Sequence, residues 1–231
     1  CRACEISQMM NTALIRLLQL VSPTLPIGAY SYSQGLEWAV EDGAIKNGQE
    51  AQQWIADCLT FGVARFEAVY LAHMMVAWSQ HETARLSQLD AEFIASRETL
   101  ELRSETLQMG YSMARLLSDL PGFPADALAE FSPRSFPLAW SCAAAHWQIP
   151  VEEAVAAYLW AWLENQVMAA IKAVPLGQTD GQRLLLDLGG RLPELAKQVA
   201  VAPLASSTNF LPMFAINSSL HETQYSRIFR S

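Results

Sequence analysis

Two serines, Ser31 and Ser33, lie in "YSYSQG" (Tyr30 to Gly35), and a serine hydroxyl next to a general base is the nucleophile of many hydrolases. No G-x-S-x-G elbow surrounds them and no strand leads into them, so the sharp turn that exposes such a nucleophile is missing. Cys1 and Cys4 form a C-x-x-C, a spacing that ligates zinc or cycles between thiol and disulfide, but nothing downstream completes a four-ligand set. His81-Glu82 and His221-Glu222 are followed by Arg85 and Tyr225 where a zinc protease would carry the second histidine of H-E-x-x-H. The four histidines show no i, i+4 pair; His73 and His146 sit among apolar residues and read as core histidines. Neither a G-x-x-x-x-G-K-[ST] loop nor a G-x-G-x-x-G turn occurs, so phosphate cradles of those kinds are absent. The inventory argues against an enzyme. The alternative it leaves is a helical hydrolase using a serine of the Ser31–Ser33 loop.

The elements that must position these residues are helical. In Ala51 to Met75 the positions Ile55, Cys58, Leu59, Gly62, Phe66, Val69, Tyr70, His73 and Met74 follow three-and-four spacing, and Leu100, Leu107, Gly110, Tyr111, Ala114 and Leu117 do likewise. Breaks fall at Asp42-Gly43, Ser118 to Asp126, Ser132 to Ser135, Gln148 to Pro150 and Pro175 to Gly181. This predicts an all-α single globular domain of roughly eight to ten helices, with no strand pattern and no internal repeat. Two capping boxes are expected, Ser31 to Gln34 and Thr179 to Gln182, where a hydroxyl accepts the amide three residues on and the glutamine reaches back. Pro23 and Pro26 keep the approach to the first box extended, Gly28 permits a turn, and Gly43 terminates the helix after it. Gly35 costs a helix ~1 kcal/mol against Ala, which points to another element passing close by. Lys172 falls in the last turn of its helix, where a cation suits the dipole.

The chain has 231 residues, 52% of them apolar and only 16% charged, against ~25% charged in an average soluble domain. Such a chain buries much of itself or leaves apolar surface for a partner. Its net charge of −8 repels phosphate backbones, so nucleic acid is excluded as a partner. Ala154 to Val174 is the longest apolar run, but Glu164, Asn165 and Gln166 interrupt its centre, which predicts a buried core helix and no membrane span. Cys58 and Cys142 lie in apolar helical patterns and read as buried free thiols. That usage predicts a cytoplasmic protein, and "CRACEISQMM" lacks the layout of a signal peptide. The chain divides into a helical domain over 1–204 and a C-terminal tail over 205–231, of weak periodicity but ending in Tyr225, Arg227, Ile228, Phe229 and Arg230, residue types enriched at interfaces.

"LVSPTLPIGAYSYSQGLEWAVEDG", "ENQVMAAIKAVPLGQTDGQRLL" and "HETQYSRIFRS" together resemble the urease accessory protein UreF family, in that family's order. The resemblance implies an all-helical, non-catalytic homodimer that binds UreD (UreH in some organisms). The pair recruits and modulates the GTPase UreG while nickel is delivered to the urease apoprotein. No cofactor is expected on this chain, because nickel and GTP belong to the partner complex. Carried over residue by residue, the first motif places Tyr30, Ser33, Gln34 and Glu37 on a partner-facing surface. The second places Lys172, Gln178, Gln182 and Arg183 there. The tail motif assigns UreD binding to His221, Glu222, Tyr225, Ser226, Arg227, Phe229 and Arg230.

Overall fold

Residues 12–124 and 126–230 are described by a computed structural model; the Cys1-x-x-Cys4 pair lies outside them. Helix α1 covers 12–20. A 3-10 turn at Ala29–Ser31 precedes α2 (Leu36–Glu41) and α3 (Gly48–Asp57), which runs into a π-turn at Cys58–Val63. Then come α4 (Glu67–Ser79), α5 (Thr83–Ala95), α6 (Leu100–Asp119), α7 (Phe136–His146), α8 (Val151–Ala173), α9 (Gln178–Gly189) and α10 (Leu192–Ala200). A 3-10 turn at Leu204–Ser206 leads to α11 (Pro212–His221). The described residues contain no strand, so the expected all-α single domain is the fold observed.

Helices α4, α7 and α8 form the centre, with α6 and α5 on one side and α9 and α10 on the other. Helix α7 is buried without a break from Pro137 to Ala144. A helix apolar on every side has no solvent face to offer and becomes core. Its Trp140 is fully buried, edge-on to Tyr158 of α8 with ring centroids 5.6 Å apart; burying one such side chain contributes about 1.5–3 kcal/mol. The apolar run of α8 is core as predicted, and among the described residues no helix is long and apolar enough to cross a membrane. Cys58 and Cys142 are buried free thiols; burial pushes the Cys58 thiol far up and the Cys142 thiol to about 12.

Local chemistry sets the helix starts. Asn47 Oδ1 accepts from the amides of Gln49 and Glu50 to open α3. Thr99 and Ser135 cap α6 and α7 through the amides of Leu102 and Leu138. The structure departs from the periodicity in three places. The single run expected through Ile55 and Met74 is broken by the π-turn and by Phe66 (φ −124°, ψ −74°). The extra residue per turn re-aims the face, so that Val63, Ala64 and Phe66 all point inward. On α6, Leu100 and Tyr111 are exposed while Glu105 and Thr106 face inward; a reading of apolar residues alone passes over polar groups that are buried because they are bonded. His146 is exposed at the end of α7 and meets the Phe123 ring at 4.6 Å, whereas His73 is half-buried with Nε2 3.0 Å from the Ala202 carbonyl.

Candidate functional site

Between Ser22 and Glu37 the chain makes no capping box. Gly28 (φ 80°) opens the 3-10 turn, and Ser31 is that turn's last residue. Gln34 and Gly35 are both left-handed (φ 53° and 84°), and α2 starts only at Leu36. Gly35 is the N-cap of α2, and two residues before it the Ser33 carbonyl accepts from Leu36 N and the Ser33 hydroxyl from Glu37 N at 3.4 Å. The reason lies in Gln34, which is turned inward. Its Oε1 accepts from Trp162 Nε1 at 2.7 Å and its Nε2 donates to Glu105 at 2.8 Å. Asn165 of α8 adds a bond to the Tyr32 carbonyl. The close approach expected at Gly35 is present, since a Cβ there would stand 2.9 Å from Ser218 N and 3.2 Å from the Asn217 carbonyl carbon. Helix α11 crosses at that point.

The second motif also lacks its box. Gly177 is the N-cap of α9 and Thr179 lies inside the first turn; an extended glycine already fills the cap. Asp180 places a carboxylate in that turn and pairs with Arg183 at 2.9 Å on the exposed face. A Cβ on Gly181 would come 2.4 Å from Ile171 Cδ1, so this glycine lets α9 lie close to α8. Lys172 is in the last turn of α8, as expected.

The C-terminal segment closes the arrangement. His221 is fully buried between two carboxylates: Nε2 is 3.1 Å from Glu37 and Nδ1 2.8 Å from Glu101. A neutral imidazole carries one N–H, so both contacts are hydrogen bonds only when a second proton sits on the ring or on one of the two carboxyls. Glu37 also accepts the amides of Ile228 at 2.6 Å and Phe229 at 3.0 Å. Arg227 pairs with Glu101 at 2.8 Å. Burial raises the Glu101 carboxyl above its ordinary range, against the lowering pull of His221 and Arg227. Glu222 accepts from the amides of Leu100 and Glu101, placing a carboxylate on the N-terminus of α6. Arg230 N donates to the Ser31 carbonyl at 2.7 Å. Phe229 is buried, with Lys172 Nζ 5.4 Å from its ring centroid.

The residues singled out from the sequence therefore separate. Ser33, Gln34, Glu37, His221 and Phe229 are buried inside this chain, and Glu222 is half-buried. Their polar atoms hold the opening stretch, α6 and the tail together, which turns them away from solvent. Tyr30, Lys172, Gln178, Gln182, Arg183, Tyr225, Ser226, Arg227 and Arg230 are exposed. Sequence reasoning missed Glu101, Glu105, Trp162 and the buried Glu67–Arg97 pair (2.8 Å, with Tyr158 donating to Glu67 at 3.0 Å). Charged residues at inward helical positions were the available signal. Ser33 Oγ is engaged with a backbone amide in the interior, so no feature of the loop favours a serine nucleophile. Among the described residues no group of three or more His, Cys, Asp or Glu is placed to hold a metal ion.

The UreF family model matches residues 45–189. The chain is 56% identical over 224 residues to the urease accessory protein UreF of Azoarcus sp. (strain BH72), covering 94% of this chain and 95% of that protein. It is 55% identical over 222 residues to that of Dechloromonas aromatica (strain RCB), covering 94% and 97%. It is 46% identical over 227 residues to that of Janthinobacterium sp. (strain Marseille), covering 96% and 100%. The family match spans more than half of the chain, and the relatives align with nearly all of it. The chain thus belongs to the UreF family of urease accessory proteins.

Proposed function

We propose that this chain is a non-catalytic scaffold that, with UreD/UreH, recruits and modulates the GTPase UreG during nickel delivery to the urease apoprotein. The observation that supports this reading is convergence. Three segments far apart in sequence meet at one surface, joined by the Arg230–Ser31 backbone bond and the Lys172–Phe229 contact. Around those joints Tyr30, Lys172, Tyr225, Arg227 and Arg230 remain exposed, and α9 carries Gln178, Gln182 and Arg183 on from Lys172. Aromatic and arginine side chains of this kind anchor interfaces. The tail over 205–231 supplies the UreD-facing part, and Lys172 with α9 the part that senses UreG. The chain works as a homodimer in the cytoplasm, and nickel and GTP stay with the partners.

Immobilised UreD is used to capture the purified chain, and UreG is then added with GTP and nickel. The expected result is a ternary complex whose mass fixes the stoichiometry. Folded chain that fails to bind UreD would sink the reading.

A further inference from the structure

A cleft of about 290 Å³ runs between the opening stretch, α6 and α8. Exposed Pro23, Tyr30 and Met168 mark its mouth; buried Gln34, Leu102 and Tyr158 mark its floor. Most of the wall is apolar, so the charges on it stand out. Glu67 is paired with Arg97 at 2.8 Å. Glu105 takes the Gln34 amide. Lys172 lies over the Phe229 ring. Glu164 differs: it is half-buried in the wall and has no hydrogen-bond or ion-pair partner among the described residues. Burial raises its carboxyl above the ordinary range with no opposing cause, as a desolvated carboxylate without a counter-ion behaves.

We propose that this cleft is an anchor pocket for one arginine or lysine side chain of a partner protein, with Glu164 as its counter-ion. The inference rests on the scaffold reading and specifies the chemistry of the contact. An aliphatic stem fits the apolar wall while its cationic head reaches the carboxylate. With Glu67 and Glu105 engaged inside the chain, the Glu164 carboxylate in this mostly apolar wall suits a diffuse organic cation better than a metal ion, which needs several converging ligands. The rim supports a protein as the source. Tyr30 and Met168 are 67% and 42% exposed, and aromatic and methionine side chains around a pocket mark an anchor site. The net charge of −8 favours a basic partner surface.

The test has two arms. In the first, n-propylguanidinium is titrated into the full chain while the Trp162 indole N–H resonance is followed, with neutral N-propylurea as control. The expected result is a saturable shift with Kd on the order of 1 mM for so small a probe. Glu164→Gln is expected to weaken it about tenfold or more. Equal binding of N-propylurea, unchanged binding in Glu164→Gln, or no saturable shift overturns the proposal. In the second, UreD capture is compared between wild type and Glu164→Gln of equal helical content. Loss in the variant supports the pocket. Equal capture of both removes the pocket and leaves the scaffold reading standing. Failure of the wild type to bind removes the scaffold reading, and the probe arm alone then decides the cleft.

Discussion

Gln34 holds a left-handed backbone (φ 53°) because its side chain has two partners below it, Trp162 and Glu105. Left-handed glutamine is uncommon and persists where the surroundings over-determine it. Gln34→Ala orphans the Trp162 N–H and strips a donor from Glu105 in the interior. The expected cost is about 1–3 kcal/mol, read as a lower urea midpoint with unchanged slope. An unchanged midpoint would mean that water replaces both bonds. Lys172 is the contrasting residue. It is exposed at a helix end with its ammonium over an aromatic face, so Lys172→Ala should cost ~1 kcal/mol or less. The scaffold reading expects its main effect on the GTPase rate of the assembled complex. A large fall in melting temperature with normal GTP turnover would make Lys172 structural. Neither role shows in the residue's name; one is fixed by burial, the other by its lack.

At the scale of the element, the crossing of α2 and α11 depends on Gly35. Its φ of 84° and the Ser218 amide, 2.9 Å from where a Cβ would be, exclude any side chain without moving backbone. Gly122 is also left-handed (φ 81°) but has nothing within 4 Å. Gly122→Ala should therefore cost only the conformational ~1–2 kcal/mol, and Gly35→Ala clearly more, with faster amide exchange in α11. Equal losses in the two variants would show that α11 yields freely. The sequence signalled a close approach here through a glycine expected inside a helix, although α2 starts one residue after it. It could not show the partner, because Ser218 lies 183 positions further along the chain than Gly35.

At the scale of the molecule, the tail contributes to the fold. From its composition, deletion after about Ser219 is expected to leave the helical fold intact. The structure sharpens this. Deletion removes His221, Arg227 and the Ile228 and Phe229 amides from Glu37 and Glu101, and opens both carboxylates to water. Each hydrogen bond lost to a charged group costs about 1.5–3 kcal/mol. Helices α4 to α8 should persist by circular dichroism at low temperature, with a markedly lower melting temperature; unchanged melting would show the tail to be dispensable. A second whole-molecule property is its response to acid. Burial raises the carboxyls of Asp90, Glu98, Glu101 and Glu164 above ordinary values of 3.8 for Asp and 4.5 for Glu. The native state then binds more protons than the unfolded chain, so the stability these groups contribute is complete below those values and is lost as pH rises through each raised one. Melting temperature should climb on mild acidification from neutral pH, and less so in an Asp90→Asn, Glu164→Gln double variant. A climb of equal size in that variant would assign the effect to other groups.

The all-helical class, the buried α8, the free thiols and the family were all legible in the sequence, because they rest on periodicity, composition and short motifs, which are local. The capping boxes were misread for the same reason: the pattern Ser-x-x-Gln is local, but what Gln34 bonds to is not. Which motif residues face solvent was decided only by tertiary structure. Glu37 and His221 read as surface groups until α2, α6 and the tail enclose them, and a carboxylate can leave water only where a folded chain supplies donors in its place.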